Sequence, residues 1–237
     1  MTARAITFYG STIGKKVVMA ITGLIGFGFL LGHMTGHLLT FKGAAAYNAY
    51  AHFLQGLGGA LWVARLTLLA ALALHVHCVF SLWSRNNAAR PRSYHQRKDL
   101  ATNYAALTMR YGGLILLLFI VYHIAHFTMG VTQPIDGVPF DPDNAYNNVV
   151  LSFQNPIISG FYILSMSALG LHLYHGLWSL TQSLGLDHPK YNPTRQKAAV
   201  AGTLVVVLGF IAVPISVLTG VLTPVAPETG AVEDTVE

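Results

Sequence analysis

The sequence predicts an all-α integral membrane protein built as a five-helix transmembrane bundle. Of its 237 residues, 53% are hydrophobic and only 10% are charged, whereas about 25% of the residues in a soluble domain are charged. Five apolar runs are each long enough to cross about 30 Å of hydrocarbon. Because a bilayer cannot satisfy backbone hydrogen bonds, each run is expected to be an α-helix. A single transmembrane domain over residues 1–224 follows.

Polar connections separate the five predicted spans. The spans cover residues 17–40, 58–84, 107–131, 156–183 and 198–223. No cleavable signal peptide is expected, because no apolar core with a cleavage site precedes the first span. The connection 133–155 shows no helical periodicity and is expected to be an irregular loop at the outer surface. Residues 225–237 are acidic, lack apolar anchors and are expected to be disordered.

Basic residues predict the orientation of the bundle. Except for Lys42 and Arg65, every Lys and Arg lies near the start of the chain, between Arg85 and Arg110, or between the fourth and fifth spans. These stretches share one side of the membrane. The positive-inside rule places the N-terminus in the cytoplasm and the C-terminus outside. The net charge of +5 therefore indicates orientation and a docking face, and nucleic acid is not an expected partner.

Histidine is the most informative residue type within the spans. Each of the first four spans carries two histidines, and the fifth carries none. The pairs are His33 and His37, His75 and His77, His123 and His126, and His172 and His175. Ionisable groups inside a membrane are costly and usually functional, and imidazole is a common ligand of haem iron. Taken alone, any one of these histidines would be explained more simply by interhelical hydrogen bonding.

The depths of the histidines favour haem binding over that simpler explanation. Counted from the cytoplasmic helix ends, His33 and His123 lie roughly 22 to 24 Å deep. His75 and His172, on the two inward-running spans, lie roughly 14 to 16 Å deep. This pattern predicts two haem b groups, each held by two histidines, roughly 8 to 10 Å apart along the membrane normal. Stacked haems of this kind suit transmembrane electron transfer.

Spacing leaves the choice of ligand open within three of the four pairs. Residues three or four apart share a helix face, so either member of those pairs could point at a cofactor. His75 and His77 are two apart and lie on opposite faces, so only one of them can point into the bundle. Glycines give the first span a smooth strip that a porphyrin or another helix could approach. They are Gly23, Gly26, Gly28 and Gly32.

Two arginines are candidates for further cofactor contacts. Arg65 and Arg110 lie near helix ends, where a guanidinium could meet a haem propionate. Snorkelling of the arginine to the membrane interface explains their positions equally well.

Four segments resemble the b558-type cytochrome b subunit of succinate dehydrogenase and fumarate reductase. They are TGLIGFGFLLGHMTGHLLTFKGAAAYNAYAHFL (22–54), ALHVHCVFSLWSRNNAARPRSY (73–94), MRYGGLILLLFIVYHIAHFTMG (109–130) and GFYILSMSALGLHLYHGLWSL (160–180). The segments cover most of the chain in family order. The resemblance implies that His33 pairs with His123 and His75 with His172 as axial ligands. The other span histidines, including His37 and His175, then become candidates for supporting the ligands or for a quinone site.

The resemblance also implies a function and partners. The chain would anchor a flavoprotein subunit and an iron–sulfur subunit at the cytoplasmic face of a bacterial inner membrane, and pass electrons from succinate to menaquinone. Reverse flow would reduce fumarate. Some relatives carry an acidic residue, proposed to carry protons, just before the fourth ligand, where this chain has Gly170 and Leu171. Since no Asp or Glu lies within any predicted span, a carboxylate proton route is not expected here.

Three other functions fit parts of the pattern. A cytochrome b subunit of another membrane dehydrogenase, such as formate dehydrogenase or a hydrogenase, would have different partner subunits. A histidine-lined metal-ion transporter would bind a cation reversibly, but no broken helix or inverted repeat accompanies the histidines. A structural anchor without haem is disfavoured by the presence of all four ligand positions.

Overall fold

In the computed structural model, residues 7–89, 104–132 and 139–226 are described, and they form seven α-helices. The helices are α1 (Thr12–His37), α2 (Ala44–Gly56), α3 (Gly59–Ala88), α4 (Tyr104–His123), α5 (Ala145–Gln154), α6 (Pro156–Ser183) and α7 (Asn192–Leu218). A 3₁₀ segment, Leu38–Lys42, continues α1, and a π-helical turn, Ile124–Thr128, continues α4. Helices α1, α3, α4, α6 and α7 are long and apolar enough to cross a membrane. The predicted five-span bundle is confirmed, and the chain is a multi-pass membrane protein.

Most helix ends differ from the predicted span ends, some lying outside the predicted span and some inside it. Only α6 begins and ends as predicted, because the Asn155 side chain accepts hydrogen bonds from the backbone N–H groups of Ile157 and Ile158 at its first turn. Helix α3 continues to Ala88, past the predicted end at residue 84. Helix α7 begins at Asn192 instead of residue 198. Helix α7 also ends at Leu218, before the predicted end at residue 223, so an apolar run locates a span without fixing the ends of its helix.

The prediction of an irregular loop over 133–155 is wrong for its second half. Residues Ala145–Gln154 form α5, with the Asn144 side chain capping its first turn. Its buried apolar side chains recur at helical spacing, and they are Tyr146, Val149, Val150 and Phe153. The three prolines of this connection all precede the helix and do not interrupt it. Residues 133–138, the other part of the prediction, lie outside the described residues.

Helices α2 and α5 form a polar cap over one end of the bundle. The Asn48 side chain accepts from the backbone N–H of Tyr146 at 2.9 Å and donates to the Asn144 side chain at 3.2 Å. The Asn147 amide pairs with both backbone groups of Val225, at 2.7 and 2.9 Å. Val225, assigned to the disordered tail from the sequence, is therefore held against α5. Residues 227–237 of that tail lie outside the described residues.

The spanning helices pack so that the four histidine-bearing helices surround one interior. Helix α1 packs against α3 and α6, α4 packs against α6, and α7 packs against α6 and α1. Helices α1 and α7 approach closely where Met34 packs over Gly209, a position at which any added Cβ would collide with the Met34 side chain. Met34 of α1 is buried, as is Val206 of α7, one turn before Gly209.

Candidate functional site

His33 on α1 and His123 at the end of α4 face each other across the interior. Their ring centroids lie 5.8 Å apart, with an angle of 83° between the ring planes. Phe29 stacks on His33 at 5.2 Å, and Phe119 stacks on His123 at 5.7 Å. Phe210 of α7 approaches His33 at 5.7 Å. The structure thus brings together the two histidines that the sequence paired, in an aromatic surrounding.

His37 lies beside His33 with both of its ring nitrogens hydrogen-bonded. Its Nδ1 is 2.9 Å from the Tyr47 hydroxyl, and its Nε2 is 3.3 Å from Nε2 of His33. Burial raises the pKa of the Tyr47 hydroxyl, with a smaller contribution from Tyr50, so Tyr47 keeps its proton. When Tyr47 donates to Nδ1, His37 donates from Nε2, and His33 must accept with a bare Nε2 lone pair. In this arrangement the hydrogen bond from His37 occupies that lone pair, so a metal ion on Nε2 of His33 would have to displace His37 from it.

Tyr162 of α6 joins His123 to His126, the most deeply buried histidine among the described residues. The Tyr162 hydroxyl lies 2.9 Å from Nδ1 of His126 and 3.5 Å from Nδ1 of His123. His126 is fully buried, and its Nε2 has no hydrogen-bond partner in the described part of the chain. It lies in the π-helical turn that begins directly after His123, and such turns are frequent at functional sites.

His75 of α3 and His172 of α6 form the second pair. Their ring centroids lie 6.3 Å apart. Nδ1 of His75 lies 3.1 Å from the hydroxyl of Thr22 on α1, and that hydroxyl also lies 2.9 Å from the carbonyl oxygen of Val18. A carbonyl only accepts, so the hydroxyl donates to it and accepts from Nδ1–H of His75. Nε2 of His75 is therefore left as a bare lone pair, the ligating form.

The two histidine pairs lie farther apart along the helices than the sequence predicted. Thr22 marks the level of His75 on α1, and His33 is eleven residues further along that helix. Gly113 marks the level of His172 on α4, and His123 is ten residues further along. At 1.5 Å per residue, the two helices give separations of about 15 to 17 Å. The predicted 8 to 10 Å is too small, because depths counted from assumed span ends carry the errors of both ends.

Glycines on α1 leave room between the two levels. A Cβ added at Gly26 would meet no atom within 4 Å, and one added at Gly23 would touch only the His75 ring, at 3.5 Å. Gly32 is equally open, but it is exposed and lies on another face of α1. Gly26 lies seven residues before His33 and shares its helix face. Close helix packing, the alternative explanation of the glycine strip, therefore does not account for Gly26 or Gly32. A flat group between the histidine levels fits this face.

Four further predicted residues do not belong to the two histidine pairs, and they are His77, Arg65, Arg110 and His175. His77 is exposed and stacks on Tyr9 at 6.1 Å, so it points away from the interior while His75 points into it, as the two-residue spacing predicted. Arg65 lies over the Trp62 ring at 5.2 Å, and Arg110 over the Trp83 ring at 5.3 Å. Both arginines are exposed, and each makes a cation–π contact with a tryptophan ring. His175 is half-buried one turn after His172.

Sequence reasoning missed the hydroxyl groups that orient the imidazoles. They belong to Thr22, Tyr47 and Tyr162. Hydroxyl side chains are common in membrane helices, where they often bond to their own backbone. Only the interhelical register, which the sequence does not give, shows that these three reach a histidine.

The chain is similar in sequence to a protein of known function. It is 26% identical over 189 residues to the succinate dehydrogenase cytochrome b558 subunit of Bacillus subtilis (strain 168), an alignment that covers 79% of this chain and 86% of that protein. No protein-family model matches the chain, and no solved structure matches it. The family resemblance found in the sequence is confirmed by this relative, whose length the chain nearly spans.

Proposed function

We propose that this chain, a homologue of the cytochrome b558 subunit of succinate dehydrogenase, is the dihaem membrane anchor of a succinate:menaquinone oxidoreductase. The observation that carries the proposal is the pair of interhelical imidazole contacts, His33 with His123 and His75 with His172, at two levels of one five-span bundle. Each contact joins two different helices, so each pair can hold a group that lies between them.

The number of ligands at each level favours a haem over a bare metal ion. A metal ion held by protein alone usually needs four or more ligands, whereas haem iron needs only axial ones. Within the described residues, no group of three or more His, Cys, Asp or Glu side chains is placed to hold a metal ion. One iron would be held by His33 and His123, whose ring centroids lie 5.8 Å apart, and the other by His75 and His172, whose ring centroids lie 6.3 Å apart.

The protein's own residues would hold, orient and shield the two haems. Thr22 keeps the ligating nitrogen of His75 unprotonated and free. His37, which Tyr47 also holds, would give up its hydrogen bond to Nε2 of His33 when that nitrogen ligates. Phe29 excludes water from the face of His33. When bound, haem iron supplies reversible one-electron transfer. Burial, axial ligation and hydrogen bonds to the ligands set its potential.

The basic end of the bundle would be the docking face for the partner subunits. Helices α1 and α7 begin there and α3 and α6 end there, so their basic residues gather at one end. They include Lys16, Arg85, Lys190, Arg195 and Lys197. With this end in the cytoplasm of a bacterial cell, an iron–sulfur subunit carrying electrons from a flavoprotein would meet the His75–His172 level first. Electrons would leave to menaquinone beyond the His33–His123 level.

A reduced-minus-oxidised visible spectrum of the purified complex, with pyridine-haemochrome quantification, tests the proposal. Two b haems per chain are expected, with His33→Ala and His75→Ala each losing a different one. His77→Ala is the matched control, because His77 shares α3 with His75 but points at Tyr9, and it should retain both haems. An intact complex without a b-type spectrum would overturn the proposal and favour a metal-ion transporter or a bare anchor.

A further inference from the structure

Tyr162 is placed to control the protonation of His123, and nothing in the proposed ligation itself requires it. Its hydroxyl reaches Nδ1 of both His123 and His126, on the same side of α4. The Tyr162 ring is buried and fixed by edge contacts with Phe119 at 5.2 Å and Phe153 at 5.1 Å. The hydroxyl therefore has little freedom to choose other partners.

A phenol carries one proton, so Tyr162 can donate to only one of the two imidazoles. If it donated to His123, Nδ1 of that ring would be the acceptor and its proton would sit on Nε2, where it would block a metal ion. If it donates to His126, its oxygen accepts from Nδ1–H of His123 and leaves Nε2 of His123 bare. Ligation through Nε2 of His123 requires the second arrangement, and the contact of 2.9 Å with Nδ1 of His126 gives the hydroxyl an acceptor closer than His123 at 3.5 Å.

We infer that Tyr162 is a positioning residue for the His33–His123 haem, and that His126 sets the direction of the hydrogen-bond chain His123 Nδ1–H to Tyr162 O–H to His126 Nδ1. The inference rests on the proposed haem ligation and assigns a role to two residues that ligation alone leaves unused. It also fixes the proton of His126 on Nε2, the buried nitrogen that has no partner among the described residues. A buried water molecule or carbonyl oxygen is the group that would satisfy it.

A hydrogen bond accepted from a ligating imidazole makes that ligand more basic and stabilises the oxidised iron. Removing the Tyr162 hydroxyl should therefore raise the midpoint potential of one haem only. A tenfold loss of preference for the oxidised state corresponds to about 59 mV for a one-electron couple. The His75–His172 haem, about 15 to 17 Å away along the helices, should keep its potential.

The test is a potentiometric titration of both b haems in the purified complex, with Tyr162→Phe compared with the wild type. Tyr122→Phe is the matched control, since Tyr122 packs against His126 at 5.4 Å in the same aromatic cluster. A rise in the potential of the His33–His123 haem in Tyr162→Phe alone is expected, together with a changed electron paramagnetic resonance signal of that haem. Equal potentials in Tyr162→Phe and Tyr122→Phe would overturn the inference.

A second variant covers the case in which Tyr162→Phe loses the haem. His126→Leu keeps the Tyr162 hydroxyl but removes the group that receives its proton, so a smaller rise of the same potential is expected. A haem-containing His126→Leu complex with the wild-type potential would overturn the inference. A wild-type complex without two b haems would instead overturn the proposed function, so the two failures are distinguishable.

Discussion

The hydroxyl of Thr22 accepts a hydrogen bond from Nδ1 of His75 while donating to the carbonyl of Val18, and so links α1 to α3 at the level of the second histidine pair. Replacing Thr22 with Val keeps the shape of the side chain but removes the hydroxyl. We expect the affinity for the His75–His172 haem to fall about 10-fold, within the range usual for lost partners of metal-ligating histidines. Haem titration of the apoprotein, followed spectroscopically, measures this.

Thr22→Ser is the control for that experiment, because serine retains the hydroxyl and can keep both hydrogen bonds. It should bind the haem like the wild type. Equal affinity in Thr22→Val and Thr22→Ser would show that the hydroxyl does not orient His75.

The sequence predicted the five spans because apolar run length is a pattern within a single helix, and it predicted the pairing of the histidines from their depths in the spans and from the family resemblance. Apolar run length located all five spans, and the two-residue spacing correctly separated His75 from His77. The distance between the two histidine levels was wrong because it depends on interhelical register. That register is set by contacts such as Thr22 with His75, which no single run reveals.

The short helix α5 was missed for a different reason. The connection that contains α5 is rich in proline and asparagine, which suggests a loop. However, Asn144 caps the helix, and the prolines all lie before the helix begins. The apolar positions from Tyr146 to Phe153 do carry the helical period. A window short enough for ten residues would have detected them.

Replacing His37 and replacing His33 should have different effects on the haem content, although the two residues lie one turn apart on α1. His33 faces His123 across the interior, whereas His37 is hydrogen-bonded to Tyr47 and to His33 itself. His37→Ala should therefore keep two b haems per chain, while His33→Ala loses one. The pyridine-haemochrome assay measures both. Loss of one haem in His37→Ala together with retention of both in His33→Ala would reverse the ligand assignment.

The hydrogen bonds between Asn147 in the polar cap and Val225 should limit hydrogen exchange in the C-terminal segment. The Asn147 side chain makes both of its hydrogen bonds to the backbone of Val225. Asn147→Ala should release residues around Val225 and increase their hydrogen exchange, since each lost hydrogen bond weakens the contact by about 1 kcal/mol. Mass spectrometry of exchanged peptides measures this.

Asn155→Ala serves as a comparison for the cap experiment, because it removes a helix-capping asparagine from α6 without touching Val225. Hydrogen exchange near Val225 should stay at the wild-type level in that variant. Unchanged exchange in Asn147→Ala would mean that other contacts hold the segment.

The close contact between α1 and α7 should make the stability of the protein sensitive to side-chain size at position 209. A Cβ at position 209 would collide with the side chain of Met34, which is buried between the two helices. Gly209→Ala should lower the free energy of unfolding by about 1–3 kcal/mol, the usual cost of overpacking. Because the obstacle is the Met34 side chain and not backbone, the double variant Gly209→Ala with Met34→Ala should lose less stability than the two single variants added together. Thermal unfolding in detergent, with Gly160→Ala as a control at a position where a Cβ meets nothing within 4 Å, measures the effect. A Gly209→Ala protein as stable as Gly160→Ala would mean that α1 and α7 pack more loosely than the structure shows.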